Sequence, residues 1–98
     1  MVNADQYFEM AENFKAQNNI PMAVQMYNEV LKLNPNFGLV HANMAKLLNS
    51  QGNIQGEYEA LRQFANCPLT MLTMEMVPAI KGRLAELEKQ FAGPKIVA

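Results

Sequence analysis

The residues of this 98-residue chain that could do chemistry are few and stand apart. Its one histidine is His41 and its one cysteine is Cys67. Nucleophilic catalysis needs a base beside the nucleophile, and we find neither a Ser/His/Asp constellation nor a glycine-rich phosphate loop. Cys67 precedes Pro68 and has no basic neighbour to activate its thiol, so we expect it to be inert. We therefore expect no enzyme, no catalytic residue and no cofactor.

Methionine is the other soft side chain, and eight of them are many for this length. Met71, Met74 and Met76 cluster within the C-terminal third of the chain. Thioethers can bind copper, but no histidine lies nearby and Cys67 is the only thiol. Flexible methionines also suit promiscuous apolar surfaces, and more commonly fill irregular cores. We expect core filling and no metal site.

Charge and length restrict the function further. The net charge is -1, and the eight Lys and Arg are spread between Lys15 and Lys95 without a basic cluster, so we expect no nucleic-acid binding. The longest apolar-rich run, 67–74, is far shorter than the roughly 20 residues that span a bilayer. We see no secretory leader pattern. These features predict one cytoplasmic domain over 1–98, with no membrane partner.

The chain repeats itself at an offset of 34 residues, with the stretch from Tyr7 aligned to the stretch from His41. The identical pairs are Met10/Met44, Ala11/Ala45, Gln17/Gln51, Asn19/Asn53 and Ile20/Ile54. Composition alone would give about two identities over about thirty pairs, and this period is typical of helix-turn-helix repeats. His41 takes the place of Tyr7 in the second copy, so we expect a packed side chain there.

Turn and cap residues predict four helices joined by short turns. Asn3 caps a helix to about Gln17, and a second starts after Asn19 and ends at 34–36. A third spans about 37–51 and ends at Gly52; Asn53 caps a fourth, which ends at 66–68. The inward-facing residues are expected to be Tyr7, Met10, Ala11, Phe14, Ile20, Val24, Tyr27, Leu31, Val40, Met44, Leu47, Leu48, Ile54, Tyr58, Leu61 and Ala65.

A longer amphipathic helix is predicted from about 76 to 91. Its apolar stripe consists of Val77, Ile80, Leu84, Leu87 and Phe91. The stripe either covers the open end of the repeats or mediates self-association with a second copy. Thr70 or Thr73 caps the helix, and Pro78 then either kinks it or lies near its first turn. Gly93 and Pro94 end it, and a frayed tail follows over 92–98.

The first hairpin resembles a tetratricopeptide repeat, whose pattern is Trp, Leu-Gly, Tyr, and later Ala, Phe and Pro. The residues at these positions are Tyr7, Met10-Ala11, Phe14, Ala23, Tyr27 and Pro35. The second hairpin matches with His41, Met44-Ala45, Leu48 and Leu61, but Pro68 comes one residue early. It also has Glu57 where a small residue belongs, which indicates a looser helix crossing or a carboxylate that reaches solvent.

The resemblance implies an all-α fold of two antiparallel helix-turn-helix repeats in a short right-handed superhelical array, closed by a C-terminal amphipathic helix. Repeat 1 would span about 4–37, repeat 2 about 38–69 and the capping helix about 72–91. Such arrays hold protein segments in a concave groove lined by the first helix of each pair. By register, that groove presents Asp5, Phe8, Glu12, Lys15, Leu39, Ala42, Asn43, Lys46 and Asn49.

Two details of the groove follow from this register. Phe8 lies about 100° around the helix from Tyr7, so it is either an aromatic anchor for a partner or packs on Ala42. One subfamily clamps the terminal carboxylate of heat-shock chaperones with lysine, asparagine and arginine. At the matching positions this chain has Phe8, Glu12, Asn43, Thr73 and Val77, and only Asn43 agrees. We therefore do not expect a carboxylate clamp.

These observations favour an interaction module, an adaptor or scaffold that binds a protein or peptide segment in the groove or along the last helix. The alternative is a structural module that forms a homo-oligomer through the stripe of the last helix. A repeat segment of a larger multidomain protein is compatible with either.

Overall fold

A computed structural model describes residues 2–91, and the predicted 92–98 tail with its Gly93-Pro94 helix end lies outside this range. The described chain is all-α, as predicted, and contains no strand. Five helices have twelve to fifteen residues, and a single turn precedes the last of them. The elements are α1 (Ala4–Ala16), α2 (Ile20–Leu33), α3 (Gly38–Ser50), α4 (Ile54–Ala65), α5 (Met71–Met74) and α6 (Val77–Phe91).

The helices begin and end close to the predicted positions because short-range chemistry fixes their termini. Asn3 caps α1 through a capping box, in which its side chain accepts from the amide of Gln6 and the Gln6 side chain accepts from the Asn3 amide, both at 2.9 Å. Each exchange satisfies a backbone donor that the first turn of a helix leaves without an intrahelical partner.

The α1–α2 and α3–α4 turns have the same geometry, 34 residues apart in sequence. Asn18 and Gly52 have left-handed φ angles of 62° and 76°, a conformation that asparagine and glycine tolerate best. Asn19 and Asn53 follow them, and each donates its backbone N–H to the carbonyl five residues earlier, at 2.8 and 2.9 Å. Each asparagine side chain accepts from the amide three residues later, at 3.4 and 2.9 Å.

Two apolar clusters form the core. One joins α1, α2 and α3, and its buried members are Ala11, Ala23, Met26, Tyr27, Val30, Val40 and Leu47. The other joins α3, α4 and α6, and its buried members are Ala45, Tyr58, Ala60, Leu61 and Leu87. Consecutive helices therefore pack as pairs, α1 on α2 and α3 on α4, while α6 packs on α4.

The inward face of α4 differs from the prediction at its end. Ala65 is exposed, and Phe64 is buried instead at 4% exposure. The Phe64 ring lies against the start of α3, where a methyl group added at Gly38 would be in ordinary van der Waals contact with it at 3.7 Å. In α1, Met10 is also less buried than predicted, at 39% exposure.

The segment before α6 determines where Pro78 lies in the last helix. Thr70 precedes the one-turn helix α5, and its amide donates to the Thr73 hydroxyl at 2.9 Å. The chain then turns, and α6 starts at Val77. Pro78 is thus the second residue of α6, where a missing N–H costs no hydrogen bond, and it does not kink the helix. None of the helices within 2–91 has the length and apolarity needed to cross a membrane.

Candidate functional site

A pocket lies between α3, α4 and α6, with a volume of about 490 Å³. We call it the α3–α6 pocket. It is lined by Ala42, Ala45, Lys46, Asn49, Glu57, Leu61, Met76, Ala79, Ile80 and Arg83. Six of these ten residues are apolar, so the pocket combines an apolar surface with a small polar group at one side. Its α3 wall consists of Ala45 and three residues predicted for the groove, Ala42, Lys46 and Asn49.

The polar side of the pocket is an ion pair between α4 and α6. Arg83 donates from Nε to Glu57 Oε2 and from Nη2 to Glu57 Oε1, both at 2.9 Å. Asn49 Nδ2 also donates to Glu57 Oε1, at 3.0 Å. The third guanidinium nitrogen, Nη1, donates to Glu86 at 3.2 Å. This bidentate geometry is the strongest form of an arginine–carboxylate contact.

The pair corrects the expectation for Glu57. Its carboxylate does not reach solvent, because Glu57 is 5% exposed and its oxygens accept three hydrogen bonds from side chains of α3 and α6. The hydrogen bonds from Arg83 lower the pKa of Glu57, against the opposing effect of burial. The same contact raises the pKa of Arg83. Both groups are therefore charged at neutral pH, and Glu57 is unsuited to donate a proton.

In the α1 part of the predicted groove, Glu12 and Lys15 form polar contacts within the chain. Buried Tyr27 donates its hydroxyl to Glu12, Asn43 Nδ2 donates to the same carboxylate at 3.2 Å, and Lys15 pairs with it at 3.0 Å. Burial disfavours the charge on Glu12, but the hydrogen bonds from Tyr27 and Lys15 outweigh it and lower the pKa. Burial and Glu12 together raise the pKa of Tyr27. These side chains hold α1, α2 and α3 together.

Phe8 packs against aromatic side chains of its own chain. Its ring stacks on Phe37 at 5.7 Å between centroids and lies tilted against Tyr27 at 6.0 Å. The side chain is half-buried against the first core cluster. Of the other predicted groove residues, Asp5 is exposed on the first turn of α1, and Leu39 is half-buried on α3; neither lines the pocket.

The stripe of α6 packs on α4 within the same chain. Leu87 is 1% exposed, and Ile80 and Leu84 pack against its cluster. Phe91 stacks on Tyr58 with ring centroids 5.4 Å apart. Val77 is half-buried at the start of the helix. Four of the five residues considered for self-association, all except Val77, thus pack in the cluster around α4 or on Tyr58.

The chemically reactive side chains lie away from the pocket. His41 is buried, and its Nε2 lies 3.0 Å from the Pro35 carbonyl oxygen. Cys67 donates its thiol to the Gln63 carbonyl oxygen at 3.2 Å, and burial raises its pKa, which keeps the thiol protonated. In the described part of the chain, no three His, Cys, Asp or Glu residues are grouped as a metal site requires.

Two of the clustered methionines do not fill the core. Met71 is 90% exposed and Met74 is 59% exposed, and both lie on the one-turn helix α5. Met76 is half-buried and lines the α3–α6 pocket. The core-filling expectation is therefore wrong for Met71 and Met74.

Sequence reasoning missed the α4 and α6 walls of the pocket. Its one signal was Glu57, a carboxylate at a position where the repeat pattern has a small residue. A buried carboxylate needs a cation, and Arg83 is the residue that supplies it. Comparison of the chain with models of protein families, with curated proteins and with solved structures finds no match.

Proposed function

We propose that this protein is a tetratricopeptide-type interaction module that binds a peptide segment of a partner protein in the α3–α6 pocket. The observation that carries the proposal is the pocket. Its volume of about 490 Å³ lies within the range of ligand-binding pockets, and its wall joins an apolar surface to a few polar groups. Such a surface suits an apolar side chain with polar groups beside it.

The assignment to tetratricopeptide-type repeats is supported by the two turns that recur 34 residues apart, down to their hydrogen bonds. It is also supported by Ala11 and Ala23, which are completely buried between α1 and α2 and allow the two helices to approach closely. Ala45 repeats the small residue of α1 in α3 at 2% exposure.

Binding fits the pocket better than catalysis does. The one carboxylate in its wall, Glu57, is held ionised by Arg83 and Asn49, so it is a poor general acid. The remaining charged residue is Lys46, an exposed amine on α3. Among the described residues, the pocket wall contains no serine, cysteine or histidine that could act as a nucleophile or base.

Affinity capture from a lysate of the source cells, read by mass spectrometry, tests the proposal. The pocket variant combines Lys46→Glu with Ala79→Trp, which fills the pocket from its α6 wall. Both residues are exposed, so neither change disturbs the core. The matched control combines Lys81→Glu with Ala85→Trp, two exposed positions of α6 outside the pocket. Circular dichroism serves to check that the native chain, the pocket variant and the control all fold.

We expect partner proteins that the native chain and the control retain and the pocket variant loses. Partners retained equally by all three proteins would refute the pocket as the binding site. Recovery of only the chain itself from every bait would instead favour the structural module that assembles with its own copies.

A further inference from the structure

We propose that the α3–α6 pocket selects a large apolar side chain that has an Asp or Glu beside it, so that the partner segment is acidic as well as apolar. This inference rests on the function proposed above and names the chemistry of its ligand. Three properties of the pocket carry it: its space, its charge and the internal pairing of its polar groups.

The space of the pocket comes from small side chains on facing walls. Ala42 and Ala45 of α3 are 2% exposed, and Ala79 of α6 is exposed at the opposite wall. Leu61 and Ile80 add larger apolar surface. Such a recess favours a ligand group that removes this apolar surface from water. A leucine, methionine or phenylalanine side chain is of that kind.

The charge of the pocket differs in sign from the charge of the protein. The whole chain has a net charge of -1. The charged lining residues are Lys46, Glu57 and Arg83, which together carry one net positive charge. Glu57 and Arg83 neutralise each other through their bidentate contact. The charge left for a ligand is therefore the ammonium group of Lys46.

Lys46 is also the side chain whose charge is available. The ion pairs within residues 2–91 are Lys15–Glu12, Lys32–Glu29, Arg83–Glu57 and Arg83–Glu86, and none includes Lys46. By contrast, Glu57 already accepts three hydrogen bonds, so it offers little to a basic ligand. An acidic residue at the mouth of the pocket gains an ion pair, while a basic residue there meets a like charge.

Display of random dodecapeptides on phage tests the inference, with the native chain, Lys46→Glu, Lys81→Glu and Ala79→Trp as baits. We expect the native chain to enrich peptides in which a large apolar residue is next to Asp or Glu. Fluorescence anisotropy with one enriched peptide should give an affinity about tenfold weaker for Lys46→Glu than for the native chain. The variant loses an exposed ion pair with the peptide and places a like charge beside its acidic residue. Ala79→Trp should abolish its binding.

Each outcome separates the inference from the function on which it rests. Apolar peptides enriched without an acidic preference, or acidic peptides that Lys46→Glu binds as well as the native chain, overturn the acidic preference and leave the interaction module in place. An equal loss for Lys81→Glu, which changes the same charge outside the pocket, attributes the effect to net charge and also overturns the inference. Enrichment of no peptide by the native chain overturns the proposed function itself.

Discussion

The packing of α6 against α4 can be tested by replacing Leu87 with alanine. Leu87 is the most buried side chain of α6, at 1% exposure, and lies in a cluster with Ala45, Tyr58 and Leu61. If α6 closes the open side of α4 within one chain, the truncated side chain leaves a cavity in each monomer. If α6 instead served mainly to join two copies, most of the loss would fall on the assembly.

The size of the effect follows from burial. Replacement of a fully buried leucine by alanine typically costs 2 to 5 kcal/mol of unfolding free energy, through lost transfer energy and a residual cavity. We expect a value inside this range, about 3 kcal/mol. In a domain of this length each kcal/mol lowers Tm by about 4 to 8 °C, so Tm should fall by roughly 12 to 24 °C.

Thermal unfolding followed by circular dichroism measures this change. The matched control is Leu33→Ala at the end of α2, where the leucine is 56% exposed, and we expect it to change stability by less than about 0.5 kcal/mol. Equal and small losses for Leu87→Ala and Leu33→Ala would refute the packing of α6. The Tm of the native chain should also stay constant on dilution, whereas a dimer held by α6 would lose stability as the protein concentration falls.

Three further predictions concern the ion pair, the backbone and the last helix. Arg83 lowers the folded-state pKa of Glu57 below its usual 4.5, so the pair should stabilise the fold fully above about pH 4.5 and lose this effect as the pH falls through the lowered pKa. In urea unfolding, the stability difference between the native chain and Glu57→Gln should shrink at low pH; a constant difference would contradict the pairing. Gly52→Ala should cost about 1 kcal/mol through backbone strain, since φ is 76° and the added methyl meets no atom within 4 Å. Gly82→Ala, inside α6 and equally unhindered, should stabilise by up to about 1 kcal/mol, and thermal melts that give the same sign for both would refute the argument. A chain that ends at Leu69 should show no cooperative thermal transition, because the apolar face of α4 is then uncovered; a sharp transition would show that α1–α4 fold alone.

The helix boundaries are predictable from sequence because they depend on interactions over three to five residues. Asn3 and Asn53 accept hydrogen bonds from amides three positions later, and Gly52 takes a left-handed φ, all within one turn of the chain. The position of Pro78 within the last helix could not be predicted in this way. Its neighbours permit two starting points for α6, and the choice depends on the separate turn that Thr70 caps.

The candidate site is predictable only on its α3 side. Lys46 and Asn49 follow from the register of the repeat, because both belong to a helix whose core-facing residues are clear. The orientation of α6 about its own axis cannot be predicted from a repeat register. It depends on contacts with side chains far away in sequence, such as Glu57, which lies 26 residues before Arg83. Arg83 lies off the apolar stripe of α6, and the sequence did not predict its contact with Glu57.

The two hairpins differ at one equivalent position, which lines the pocket in the second hairpin. In the first hairpin it holds Ala23, which is completely buried and brings the helices together. In the second it holds Glu57, whose carboxylate extends from α4 to Arg83 on α6. Because Glu57 is buried while the Arg83 side chain is 37% exposed, part of the attraction between them offsets the cost of removing the carboxylate from water. The Glu57–Arg83 pair joins α4 to α6 along one side of the pocket, and the small side chains of Ala42 and Ala79 leave space between the pocket walls.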